Sequence, residues 1–180
     1  MTGRLIAVVG PSGVGKDSVM AGMARAQPRL ALVRRVITRA EDAGGEDFDG
    51  VDRATFDRMR DAGAFALWWA AHDMHYGIPV SVEEALASGQ DCVANLSRGV
   101  LVQAQARFAH LQVISLVARP EVLAERLAAR GRESRTQIAE RLARAGSGLP
   151  SGIAAHEVDN SGALQDTVTT ALARLYPGRA

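Results

Sequence analysis

Arg4-Leu5-Ile6-Ala7-Val8-Val9 runs straight into Gly10-Pro11-Ser12-Gly13-Val14-Gly15-Lys16-Asp17-Ser18, and the reading of this junction decides the fold. From Leu5 the run is apolar without alternation, as expected of a strand buried on both faces of a parallel sheet. It stops at a glycine, and Val19, Met20 and Met23 then recur at helical spacing. The G-x-x-x-x-G-K spacing between strand and helix is that of a phosphate-binding loop. Glycines let the backbone curl so that successive N–H groups face one point, and the helix beginning there adds its partial positive end. Lys16 is then placed to bridge the β- and γ-phosphates of a nucleotide. Gly10, Pro11, Ser12, Gly13, Val14, Gly15, Lys16, Asp17 and Ser18 are the candidate residues for binding ATP.

The composition singles out the same lysine. Of the 21 basic residues 20 are arginine, so Lys16 is the chain's single lysine. A compact ammonium fits between phosphates where a planar guanidinium fits poorly. One position departs from the motif, which places Ser or Thr after the lysine as a Mg²⁺ ligand. Here Asp17 stands there and Ser18 follows. A carboxylate is a hard oxygen ligand suited to Mg²⁺. Asp17 either takes the metal or balances charge at the helix start and leaves the ion to Ser18 or water; the sequence keeps both open.

Outward from the junction, strand patterns at 30–37, 91–96, 111–117 and 157–160 alternate with helical patterns at 53–62, 82–87, 100–108, 120–130, 136–145 and 162–175. Residues 64–71 read as extended, and the acidic, glycine-rich stretch 40–50 as a mobile loop. The expected fold is α/β: one P-loop NTPase domain over 1–180, a parallel sheet with helices on both faces, and ligands at the strands' carboxyl ends. At 180 residues, 47% hydrophobic and with a net charge of +1, the chain can bury a core. No global field draws it to nucleic acid or membrane. Its apolar runs are too short for a signal peptide or a membrane span, so a cytoplasmic location is expected. The oligomeric state is left open. Cys92 sits in an apolar stretch and reads as a small core residue. His72 and His75 form H-x-x-H without further ligands, and of Trp68 and Trp69 one should be core while the other faces a ligand.

Seven arginines and four glutamates lie between Arg119 and Arg144. Ion pairs four apart on a helix, such as Glu140 with Arg144, explain part of this. They do not explain Arg126 and Arg130 on one face, Arg132 after Gly131, or Arg141 three before Arg144. Arginines at the facing ends of a helix–turn–helix suit a lid at about 130–140 that closes over phosphates.

The order of these motifs resembles the guanylate kinase superfamily over nearly the whole chain. The resemblance rests on G-P-S-G-x-G-K, Ile37-Thr38-Arg39, Tyr76-Gly77, Arg126-Leu127, Arg130, Arg141-Leu142 and Asp159-Asn160-Ser161. It implies that Arg130, Arg132 and Arg141 serve phosphoryl transfer, and that Arg126 and Asn160 border the nucleotide. It also implies that Arg39 and Tyr76 hold the acceptor's phosphate, within an acceptor-binding insertion at about 38–90. The departures bear on the acceptor. Guanylate kinases read guanine with acidic or polar side chains before Y-G and at an L-D-V-D-type strand end. Here those places hold Phe65-Ala66-Leu67-Trp68-Trp69-Ala70-Ala71 and Val93-Ala94-Asn95-Leu96-Ser97-Arg98. Leaving guanine's N–H donors without acceptors is costly. Meanwhile Arg35 stands where the family carries serine, and Arg98 has appeared at the strand end.

These features, with the aspartate after the lysine and R-G-R-E at 130–133, are similar to one branch: enzymes that phosphorylate ribose 1,5-bisphosphate to phosphoribosyl diphosphate during phosphonate breakdown. The expected partner is a small sugar bisphosphate, held by Arg35, Arg39, Trp69, Tyr76, Asn95, Ser97 and Arg98. ATP and Mg²⁺ are the expected cofactors. The rivals are a nucleoside monophosphate kinase and a non-catalytic interaction module.

Overall fold

The computed structural model describes residues 2–40, 47–131, 136, 138–139, 142–143 and 148–178, without the side chain of Arg130. Five strands form a parallel sheet: β1 (Leu5–Val9), β2 (Leu30–Leu32), β7 (Asp91–Asn95), β8 (Leu111–Val117) and β9 (His156–Asp159), in the order β2-β7-β1-β8-β9. Every residue of β1 is fully buried, which is why its sequence is apolar throughout. Ile6 and Val8 face a cluster with α1 (Lys16–Ala26), α5 (Pro120–Arg130) and the last helix, α6 (Leu164–Leu175). Leu5, Ala7 and Val9 face the opposite cluster with α3 (Ser81–Ala87) and α4 (Leu101–Arg107), and Cys92 is buried there too. Helices therefore cover both faces, as expected. The chain leaves β1 in one direction to β2 and β7 and in the other to β8 and β9. This makes the carboxyl end of β1 a topological switch point, the place where such sheets bind ligands.

The second sheet is not what the sequence pattern suggests. The stretch 30–37 forms two strands rather than one: β2 in the main sheet, then β3 (Arg35–Ile37) in a separate four-stranded sheet ordered β4-β3-β6-β5. The break falls after Val33, whose amide still donates to the Val93 carbonyl of the main sheet, whereas Val36 and Ile37 pair with Gly77 and Tyr76. Arg34 points outward to Asp47 and Asp49, whereas Arg35 is buried. Part of the expected loop is also a strand, β4 (Phe48–Gly50), anchored by buried Phe48; residues 41–46 lie outside the described set. β5 (Phe65–Ala71) pairs with β6 (Met74–Pro79), a strand that its mixed His, Tyr, Gly and Pro content hides from pattern reading. Their turn places His72 and Asp73 at φ 52° and 60°, the twin left-handed conformation of a tight hairpin. α2 (Arg53–Asp61), capped by Asp52 accepting from the Thr55 amide at 2.6 Å, packs Phe56 on Phe65 at 4.7 Å between centroids. The Phe65 ring also lies where a side chain at residue 77 would go: a Cβ there would fall 2.5 Å from it, so the glycine of Tyr76-Gly77 is a packing requirement. Leu67 and Ile78 on the opposite face join the β1 cluster, binding the two sheets together.

Candidate active site

The loop after β1 has the shape its glycines require. Gly13 and Gly15 lie at φ 85° and 91°, a region that side chains disfavour. Gly15 caps α1 without a side-chain partner, so the first helical N–H groups remain directed at the loop's centre. The loop is pinned from behind. Asn160, 3% exposed at the end of β9, donates from its amide to the Val14 carbonyl at 2.7 Å, and Arg126 donates to the same oxygen at 3.3 Å. Thr167 in α6 in turn donates to the Asn160 side-chain oxygen at 2.7 Å. Both residues expected to border the nucleotide thus hold the loop through one carbonyl. Thr167 was missed. The available signal was a polar residue beside Val168 on the buried stripe that continues through Ala171 and Leu175.

Lys16 folds back over the loop, its Nζ donating to the Gly10 and Pro11 carbonyls at 3.0 and 3.2 Å. Asp17 is half-buried on the first turn of α1, and Ser18 beside it is exposed. The amide of Asn95, the last residue of β7, donates to Asp17 Oδ1 at 3.0 Å. From the other side, buried Arg35 donates to the Asn95 backbone carbonyl at 3.0 Å. The Arg35 guanidinium lies 5.0 Å from the centre of the Tyr76 ring and 5.9 Å from that of Trp69, rings that stack on each other at 5.3 Å. A cation over ring faces is favourable, more so when desolvated. One line of contacts therefore runs from the second sheet to the phosphate loop: Trp69 and Tyr76, Arg35, Asn95, Asp17.

Arg98 opens a 3-10 turn directly after Asn95-Leu96-Ser97, and partial burial holds its guanidinium pKa below the ordinary arginine value. Arg39 lies over the Phe48 ring at 4.3 Å. It also lines a cavity of about 560 Å³ with Thr38, Asp52, Arg53, Asp73 and His75. Thr38 and His75 belong to the face of the second sheet opposite Tyr76, so that cavity is apart from the line of contacts above. His75 lies against Phe56 at 5.5 Å; burial first, then Arg53, lowers its pKa. Of the two tryptophans, Trp69 packs on the core, while Trp68 is 42% exposed beneath Arg60. Arg132 and Arg141, the side chain of Arg130 and most of the expected lid lie outside the described residues.

The donor set fits Mg²⁺ arriving with a nucleotide. That ion keeps several waters and takes one or two carboxylates plus phosphate oxygens, and Asp17 offers one carboxylate beside the loop. Among the described residues no group of three or more His, Cys, Asp or Glu could cage a metal alone.

Comparison with known proteins agrees with this geometry. The guanylate kinase family model matches residues 2–156. The chain is 54% identical over 179 residues to the ribose 1,5-bisphosphate phosphokinase PhnN of Ruegeria sp., covering 99% of this chain and 94% of that protein. The chain belongs to the guanylate kinase family, in its ribose 1,5-bisphosphate phosphokinase group. A second member of this group, from Pseudomonas paraeruginosa, is 48% identical over 188 residues, covering 100% of this chain and 99% of that one. Among solved structures, the guanylate kinase of Anaplasma phagocytophilum superposes with a TM-score of 0.74 over 97% of this chain and 85% of that one. At 18% identity that likeness shows the fold alone. Family membership narrows the alternatives to one question, the acceptor, since the loop that a kinase needs is intact here. No helix among the described residues is long and apolar enough to cross a membrane.

Proposed function

We propose that this chain transfers the γ-phosphoryl group of ATP to ribose 1,5-bisphosphate, giving 5-phosphoribosyl 1-diphosphate and ADP. The near-full-length identity of 54% to a ribose 1,5-bisphosphate phosphokinase carries this reading. The second sheet supports it: where a base reader would place carboxylates, Trp69 and Tyr76 stack and Arg35 lies over them. An acceptor with two phosphates and no base calls for cations and needs no acid for guanine's donors.

The nucleotide's phosphates lie in the loop, met by its amides and by the start of α1. Lys16 exchanges its contacts with the Gly10 and Pro11 carbonyls for the β- and γ-phosphates. Asp17, with Ser18 one residue on, would hold Mg²⁺, which would supply neutralisation of the phosphates' charge. Arg39, Tyr76, Trp69, Ser97 and Arg98 orient the sugar bisphosphate. Its attacking group is a phosphate oxygen, already anionic, so no strong general base is required. Catalysis rests on alignment and on charge stabilisation by Lys16, by Arg130 and Arg132 of the lid and by Arg141 after it.

The test is product formation from ATP with ribose 1,5-bisphosphate, GMP, AMP or UMP at equal concentration. The sugar bisphosphate should react far faster than any of the three nucleotides. GMP as the best acceptor would leave the kinase class standing and overturn the substrate.

A further inference from the structure

Asn95 is 7% exposed, and its side-chain NH2 and its backbone carbonyl are both used inside the protein. The side-chain NH2 donates to Asp17 Oδ1 at the phosphate loop, and the backbone carbonyl accepts from Arg35 of the second sheet, each at 3.0 Å. The backbone around it is fixed: Asn95 stands opposite Val8 in the register, and the Leu96 amide donates to the Val8 carbonyl at 3.1 Å. A side-chain amide held this way is a poor candidate for contacting substrate and a good one for aiming a neighbour. Asp17 is a short side chain with one carboxylate to offer, and a hydrogen bond at one oxygen sets the direction of the other. We infer that Asn95 is a positioning residue whose side chain aims the Asp17 carboxylate at the nucleotide-bound cation, while Arg35 of the acceptor sheet holds the backbone from which that side chain springs.

This inference rests on the phosphate loop binding a metal–nucleotide complex, and its test separates the two. Mn²⁺·ADP binding would be measured by calorimetry and by the electron paramagnetic resonance of the bound ion, in the wild type, Asn95→Ala, Asp17→Ser and the double variant. Asn95→Ala should weaken Mn²⁺·ADP about tenfold, the size of one hydrogen bond to a charged group. It should leave metal-free ADP within about twofold, a range too small to reflect a lost contact of that size. In the Asp17→Ser background the same substitution should add almost nothing, because residues acting through one contact are not additive. Asn95→Thr, close in size and still a donor, should recover part of the loss and covers the case in which Asn95→Ala fails to fold. Equal losses on Asn95→Ala in both backgrounds, or equal losses with and without metal, would overturn the inference. A wild type that binds no Mn²⁺·ADP would overturn the site reading beneath it.

Discussion

The two ends of the parallel sheet handle charge in opposite ways. At the amino end, Asp91 takes the Arg4 side chain at 2.6 Å, the Arg4 amide at 2.8 Å and the Tyr176 hydroxyl at 2.8 Å, while Arg4 also donates to the Leu175 carbonyl. Arg4 lies over the Tyr176 ring at 4.7 Å. Opposite charges meet directly there, and the cluster fastens the end of α6 to the starts of β1 and β7. At the carboxyl end, three contacts pass through neutral groups. Arg35 meets a carbonyl, Asn95 an amide link to Asp17, and Lys16 two loop carbonyls. A direct ion pair is stable and inert, whereas charges held through dipoles keep their orientation and can still answer a charged ligand. The first arrangement builds the protein and the second builds its site.

Separating the two ends by mutation tests this division. Lys16→Ala should leave folding intact and remove about 3 kcal/mol or more of transition-state stabilisation, seen as a hundredfold or greater loss of kcat/KM. A folded Lys16→Ala with near-normal turnover would place the phosphates elsewhere. Asp91→Ala should do the reverse, costing about 1.5–3 kcal/mol of stability by denaturant titration, since it removes the charged partner of a part-buried guanidinium. The activity of its folded fraction should stay close to wild type. A Lys16-sized loss of turnover in Asp91→Ala would dissolve the distinction between the ends.

The smallest expected effect is a pH dependence. Burial, then the Asp91 contact, raise the Tyr176 pKa to about 12. A group whose pKa rises on folding gives stability that is complete below its unfolded value, about 10, and is lost as pH climbs through the folded one. Wild type should therefore lose stability between about pH 10 and 12 more steeply than Tyr176→Phe, read from urea midpoints. Identical slopes would mean that this hydroxyl is not coupled to folding. At the acid side the sign reverses. Arg4 and Tyr176 hydrogen bonds hold the Asp91 pKa below its ordinary value against burial, so its contribution is lost as pH falls beneath that range.

The difference between the ends also explains what the sequence could reveal. The phosphate loop was legible because its chemistry is local: one strand, three glycines and the single lysine lie within consecutive residues. β1, β8 and α5 were legible for the same reason, each carrying its own periodicity or stop signal. The second sheet was not. β6 is held by its partners and by the Phe65 ring on Gly77, and β3 departs from β2 through its pairing with β4 and β6, strands distant in sequence. Arg35, Asn95 and Asp17 were each singled out, but their connection was invisible, since it spans 78 residues between Asn95 and Asp17 and 60 between Arg35 and Asn95. The clamp of Arg4, Asp91 and Tyr176 was missed entirely. It joins residues 85 to 87 apart, and none of them belongs to a motif.

The central claim is that cations at the carboxyl end, which a base-reading kinase would not carry there, receive a sugar bisphosphate. Steady-state kinetics of Arg98→Ala with ribose 1,5-bisphosphate test it most directly, with ADP binding measured alongside. Loss of one charge-assisted contact should weaken the acceptor by about 1.5–3 kcal/mol, a ten- to hundredfold rise in KM, while ADP binds as in wild type. An unchanged acceptor KM, or a loss that falls equally on ADP, would contradict the account.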